Sequence, residues 1–248
     1  MASRTLERIT PPMEPHAHQD TPRTFTLAGA RAGARRTIPL ALSTLAVGMV
    51  FGVAARQVGL SLAEALLMSG LVSAGTSQFV ALGLWAAPLP VLPLIVTTLV
   101  VNLRHVLMGA ALRPWLRGLP APLLYFAAFF MDDESWALSM RESAAGGRDR
   151  AFLVGSGVTL FASWFVATAL GYLLGAVLPD TVRQGLDFVF TAAFVALLVG
   201  MWRGRSDVLP WVVAASVALA AAHWLPGTWY ILLGGLAGSL VGMVRHAR

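Results

Sequence analysis

Cysteine is absent from the 248 residues, which excludes disulfides, thiolate nucleophiles and thiolate metal sites. Lysine is absent as well, so all 18 basic residues are arginine. Charge of either sign is scarce: 12% of residues, about half the usual share of a soluble domain. That scarcity excludes a separate soluble domain with an ordinary solvated surface. The chain also lacks an HExxH pair, a serine–histidine nucleophile pattern and a phosphate-cradling glycine loop, so none of the common hydrolytic or nucleotide-driven chemistries is encoded. Asp132-Asp133-Glu134-Ser135-Trp136 resembles an acidic metal-binding run, but a DDxxD motif would need an acid where Trp136 stands.

What is present is apolar. Hydrophobic residues make up 57% of the chain, and the mean hydropathy is +0.71. Apolar runs recur too often for a soluble core. The expected fold is an all-α polytopic membrane protein with seven or eight transmembrane helices of about 20 residues each. The net charge of +6 does not indicate nucleic acid, because the arginines stand at the chain start and between apolar runs, where they encode orientation.

Residues 1–36 read as a disordered cytoplasmic tail rich in arginine and proline, with no apolar core of a signal peptide. Its six arginines (Arg4, Arg8, Arg23, Arg31, Arg35 and Arg36) predict a cytoplasmic N-terminus. His16 and His18 in such a tail make no metal site. Residues 37–248 form the transmembrane domain, with candidate halves 37–140 and 151–245. Spans are expected at about Thr37–Ala55, Gly59–Trp85, Val91–Leu112, Ala151–Leu178, Leu186–Met201, Val208–Leu225 and Trp229–Val244. Leu119–Met131 is a shorter apolar stretch running into three acids. It is either a re-entrant half-span, which gives seven crossings, or part of a full span to Met140, which gives eight. GxxxG pairs at Gly48/Gly52 and Gly171/Gly175, and the strip Gly234, Gly238, Gly242, predict close helix packing. Pro39 is expected near a helix start.

Gly59–Trp85 is the most informative stretch. It is long enough to span, yet it carries Glu64, Ser69, Ser73, Thr76, Ser77 and Gln78. Spacings of three to five put Glu64, Ser69, Ser73, Thr76 and Ser77 on one helical face, and that face must meet protein or a water-filled path. Gly75-Thr76-Ser77-Gln78 is weakly helix-forming, so a break is expected there. The two halves share a GxxxG-bearing start, a Phe-Val-Ala-Leu string (Phe79–Leu82, Phe194–Leu197), a proline-started span and a histidine (His105, His223). This pattern fits an internal repeat with broken or re-entrant helices of the kind found in transporters.

Ionisable groups deep in apolar spans are expensive and point to function. The candidates for substrate binding or coupling are Glu64, Ser77, Gln78, Asn102, Arg104, His105, Asp133 and Glu134. Glu64 or Asp133 is expected to pair with Arg104, and Arg56 either snorkels to the headgroups or pairs with Glu64. Thr98, Asn102 and His105 share one helical face and Arg104 points elsewhere. A zwitterionic amino acid fits this set: Arg104, Asn102 and the backbone near Ser77-Gln78 for its carboxylate, Glu64 or Asp133 for its ammonium, and Phe79, Phe129 and Phe130 for its side chain. His105, Glu64, Asp133 and Glu134 are titratable groups for proton coupling. No cofactor is implied.

The stretches FGVAARQVGLSLAEALLMSGLVSAGTSQFVALGLW, LPLIVTTLVVNLRHVLMGAALRPWL and FFMDDESWALSM, between Phe51 and Met140, resemble the AzlC family, the large subunit of bacterial branched-chain amino acid exporters. The resemblance implies a permease of the bacterial inner membrane, embedded in the lipid bilayer. It also implies a small multispanning partner of the AzlD type and export of valine, leucine, isoleucine and sometimes methionine or toxic analogues. The alternative is a non-catalytic channel or assembly subunit whose partner carries the substrate site.

Overall fold

A computed structural model describes residues 24–177, 195, 199, 202, 204–225 and 229–246. Among these residues the structure is helical, with one isolated bridge between Thr24 and Asp149. The helices are α1 (Leu27–Gln57), α2 (Leu62–Val72), α3 (Gly75–Gly83), α4 (Val91–Leu116), α5 (Ala121–Phe129), α6 (Asp133–Ala144), α7 (Ala151–Val177), α8 (Val208–Trp224) and α9 (Trp229–His246). By length and composition, α1, α4 and α7 can each cross a membrane.

α1 starts well before the span expected at Thr37, so residues 27–36 are helix and not tail. Alanine, leucine and arginine favour helix there, and the Thr26 side chain caps the Gly29 N–H at 3.1 Å. Pro39 consequently lies inside the helix rather than at its start. At 31 residues, α1 is about 46 Å long at 1.5 Å per residue. That exceeds the hydrocarbon thickness of about 30 Å, so its arginine-bearing first turns project beyond it. They are tied down there: Arg36 pairs with Glu142, and the Thr26 hydroxyl and N–H both donate to Asp149. Burial pushes the Asp149 carboxyl up, but hydrogen bonds from Thr26 and the Ala151 N–H outweigh it and hold the group below the usual carboxylate range.

α1 and α7 lie side by side and run parallel. Gly33 meets Phe152, Gly48 meets Ala167, Gly52 meets Thr168 and Gly171 meets Met49, so the register advances together along both helices. The expected GxxxG pairs therefore pack on each other. A methyl on Gly52 or Gly171 would strike a backbone carbonyl of the partner helix, and this close approach is what small residues permit in a membrane. Ser163 adds a 2.7 Å hydrogen bond to the Ala41 carbonyl. In the second half, Gly234 and Gly238 of α9 sit against Ala218 and Ala214 of α8. The segment expected at 186–201, and with it the second Phe-Val-Ala-Leu string, lies outside the described residues except for 195 and 199.

The stretch expected to be the second span does not cross. α2 and α3 have 11 and 9 residues, about 16 and 13 Å, or half a hydrocarbon core each. Leu60 and Ala65, at the entry, share one apolar cluster with Leu82 and Trp85, at the exit, and with Phe51, Ala54 and Ala55 near the end of α1. Both ends of the pair thus lie where α1 and α7 finish, the far end of that pair, opposite the near end where both start. The chain reverses at Ser73, which is left-handed (φ 39°), and the extended Ala74. This break precedes the expected one at Gly75–Gln78.

The acidic segment is a second hairpin of opposite sense. Leu119 at its start and Leu138 and Met140 near its end pack with Leu112, Leu116, Phe152 and Leu153 at the near end. Its tip reaches the middle of α7, where Phe130 packs edge-on to Phe161. The α5–α6 turn is Phe130–Asp132, and Asp132 and Ser135 form a capping box for α6. α4 passes both hairpins. Its end returns to the near end, where the Trp115 indole donates to the Gly147 carbonyl at 2.8 Å and Arg150 to the Arg117 carbonyl at 3.1 Å.

Candidate functional site

The two hairpin tips and the centre of α4 converge at mid-depth. Arg104 links all three: Nη1 lies 2.9 Å from Asp133 Oδ2, and Nη2 reaches Thr76 Oγ1 at 3.4 Å. One guanidinium therefore bridges the first turn of α3 in one hairpin and the first turn of α6 in the other. Asp133 is the partner that Arg104 takes. Glu64 is not: it is exposed at the far end, where its carboxylate closes the capping box of α2 by accepting from the Ser61 N–H and hydroxyl, both at 2.7 Å. Arg56 lies over the Tyr172 ring, 5.0 Å from its centre, instead of pairing with Glu64. Glu134 follows Asp133 in the first turn of α6, with its side chain exposed.

Ser77, Gln78, Asn102 and His105 are brought together. The Asn102 amide nitrogen donates to Ser77 Oγ at 3.4 Å, and Ser77 donates to the Ala74 carbonyl at 2.8 Å. The Gln78 amide nitrogen donates to Ser69 Oγ at 3.3 Å. Ser69 joins Thr168 of α7 at 2.9 Å, and Thr168 donates to the Trp164 carbonyl at 2.9 Å. His105 Nδ1 lies 3.3 Å from the Asn102 carbonyl oxygen. Ser69, Ser77, Gln78 and Thr168 are all buried. The expected polar stripe is thus split by the reversal: Ser69 on α2 and Ser77 and Gln78 on α3 face inward, while Glu64 does not.

Two cavities flank Asn102. One of about 190 Å³ lies between the tips, lined by Ser73 and Ala74 from one hairpin, Phe129 and Met131 from the other, and Asn102 and His105 of α4. The second, about 530 Å³, lies between the first hairpin and the opening turns of α4. It is a groove with mainly apolar walls (Met68, Val72, Trp85 and Leu94, with Ile95 and Leu99 exposed at its open side), and Thr98, Ser77, Gln78 and Asn102 supply its polar groups. An apolar pocket of a few hundred Å³ with a few convergent polar groups is the usual form of a small-molecule site. Phe129 lines the smaller cavity, but Phe79 is packed away against Phe51 and Trp164, and Phe130 against Phe161.

Three buried polar atoms here have no hydrogen-bond partner among the described residues: Gln78 Oε1, Asn102 Oδ1 and Arg104 Nε. Such atoms are rare because each carries an unrecovered desolvation cost. No side chain caps α3 at Ala74, and a helix start of this kind favours an anion. The site therefore offers two acceptors, a cation and a helix N-terminus beside an apolar chamber. Sequence reasoning did not single out Ser69 and Thr168 as part of this arrangement; Ser69 was visible in the polar stripe, whereas nothing marked Thr168.

The AzlC family profile, described as AzlC protein, matches residues 39–178. An uncharacterized membrane protein of Archaeoglobus fulgidus is 34% identical over 214 residues, covering 85% of this chain and 93% of that protein. The branched-chain amino acid transport protein AzlC of Bacillus subtilis is 25% identical over 235 residues, 94% of this chain and 90% of its own. The inner membrane protein YgaZ of Escherichia coli is 27% identical over 220 residues, 86% and 89% of the two chains. No solved structure matches.

Proposed function

The chain belongs to the AzlC family, and from that premise we propose that it is a secondary transporter exporting branched-chain amino acids across the bacterial inner membrane, as the large subunit of a two-component exporter. The observation that carries the transport reading is Arg104, which joins two opposed half-depth hairpins beside an apolar chamber. Discontinuous helices meeting at the midplane are how secondary transporters place polar groups against substrate. Moving one hairpin while the other stays closed would open the chamber to one side at a time. The names of the Bacillus and Escherichia relatives support the substrate class and the inner membrane; the outward direction rests on the family resemblance.

Orientation follows from arginine. With both hairpins re-entrant, Arg31, Arg35, Arg36, Arg113, Arg117, Arg141, Arg148 and Arg150 all fall at the near end, and Arg56 at the far end. The near end is therefore cytoplasmic, and within residues 24–177 the four or five crossings read from the sequence become three, α1, α4 and α7. The small partner is an AzlD-type multispanning subunit. α4 leaves Leu92, Ile95, Leu99, Leu103, Val106 and Leu107 exposed, an apolar strip along a site-bearing helix that suits such a subunit.

The test is efflux of radiolabelled leucine from loaded cells expressing the chain with its small partner. Arg104→Ala abolishes efflux at unchanged membrane expression, whereas Glu64→Ala retains it. Wild-type efflux from Arg104→Ala cells would remove this site from transport.

A further inference from the structure

We propose that Gln78 Oε1 and Asn102 Oδ1 form a charge-free subsite for the substrate ammonium in the larger cavity; this rests on the amino-acid transport reading above. The argument is one of hydrogen-bond direction. The Trp164 carbonyl only accepts, so Thr168 spends its hydroxyl proton there. Ser69 must then donate to Thr168, and its oxygen is left to accept from a donor. Of the two ends of the Gln78 amide, only the NH₂ can serve. The carbonyl end is the one left without a partner among the described residues.

The same logic recurs at Asn102. The Ala74 carbonyl takes the Ser77 proton, so Ser77 accepts from the Asn102 NH₂ and leaves Oδ1 free. Two independent relays, one ending on α7 and one on the reversal of the first hairpin, thus lock two amides in the same sense. Both residues line the 530 Å³ cavity, and Gln78 is only 1% exposed. Two fixed acceptors at the polar end of an apolar chamber call for a donor-rich guest, and an ammonium carries three donors. Neutral acceptors also spare the protein an extra anion in the membrane, whose cost is high. Asp133 stays with Arg104 and does not bind the ammonium, and Ser69 and Thr168 act as positioning residues.

The test uses the full chain, purified with its small partner in nanodiscs, and equilibrium binding of leucine, of 4-methylpentanoate (no ammonium) and of isopentylamine (no carboxylate). Hydrogen bonds to a charged group are worth enough that losing them weakens binding roughly ten- to hundredfold. Wild-type protein should bind 4-methylpentanoate at least tenfold more weakly than leucine. Gln78→Met should weaken leucine and isopentylamine by that factor and leave 4-methylpentanoate unchanged. Ser69→Ala, which frees the amide to turn, should give a smaller loss of leucine alone. Equal wild-type affinity for leucine and 4-methylpentanoate overturns the subsite without needing any variant. So does leucine binding that requires sodium, which would make the two oxygens a cation site. Leucine binding with these outcomes leaves the transport reading standing; no branched-chain amino acid bound at all removes both.

Discussion

Removing either partner of the Arg104–Asp133 pair should cost more than removing both. A fully buried pair broken on one side loses about 3–5 kcal/mol, and an exposed one about 0.2–1 kcal/mol. The side chains here are 31% and 49% exposed, so the expected loss for Arg104→Gln or Asp133→Asn is intermediate, about 1–3 kcal/mol. For a chain of this size 1 kcal/mol corresponds to roughly 2–4 °C in Tm, so each single variant should melt about 2–12 °C lower. The double variant leaves no unpaired charge at mid-depth and should regain most of that loss, while transport stays dead. The assay is detergent melting followed by size-exclusion fluorescence, run as a double-mutant cycle alongside leucine efflux. Strictly additive losses would show that the two side chains do not interact. A double variant that transports would show that the pair has no part in coupling the hairpins.

Other expectations follow from the packing and the topology. Gly155→Leu drives a side chain into the Ala30 carbonyl across the α1–α7 seam and should abolish monodisperse protein, whereas Gly83→Ala, with open space around it, should change Tm by little. Asp149 titrates below the usual carboxylate range, so its contribution is present above the unfolded value of about 3.9 and is lost as pH falls through the lower folded value. Thr26→Ala removes the hydroxyl bond to Asp149 and the α1 cap together while the Thr26 and Ala151 N–H bonds stay, and should lower stability at neutral pH by about 0.5–2 kcal/mol and partly flatten that acid-side loss on a Tm-against-pH curve. Since the chain has no cysteine, single cysteines report sidedness directly. Arg117→Cys should react with an impermeant maleimide from the same face as Gly146→Cys and opposite to Gly59→Cys; labelling of Arg117→Cys together with Gly59→Cys would restore the crossing count read from the sequence.

The sequence showed clearly where the chain is apolar. α1, α4, α7, α8 and α9 overlap the expected spans, and the glycine pairs expected to pack do so. Asn102, Ser77 and Gln78 converge as the polar clustering suggested. Reversal was the hidden property. Two half-length helices folded back have the same length and hydropathy as one crossing, and local composition does not record whether Leu82 ends in one cluster with Ala65 or on the other face. Ser73 takes the left-handed turn without being glycine, so the usual signal for such a bend was missing and the break was placed two residues late. Glu64 was misread for the opposite reason. Ser61-x-x-Glu64 is a capping box, a local pattern that needs no partner from elsewhere, yet the helical-face argument gave it one.

Charge could have corrected the topology. In the eight-crossing reading Arg113 and Arg117 fall on the outer side with Arg56, against the cytoplasmic excess that arginine otherwise shows. Turning the first hairpin back moves both to the arginine-rich side, and the acidic segment must then turn back as well for Glu142 to meet Arg36 and Asp149 to meet Thr26. Each reversal is required by the other, because α1 and α7 run parallel and their starts must share a face. The two hairpins are therefore one architectural decision. Arg104, placed where their tips meet, costs the membrane a charge that this arrangement alone can satisfy.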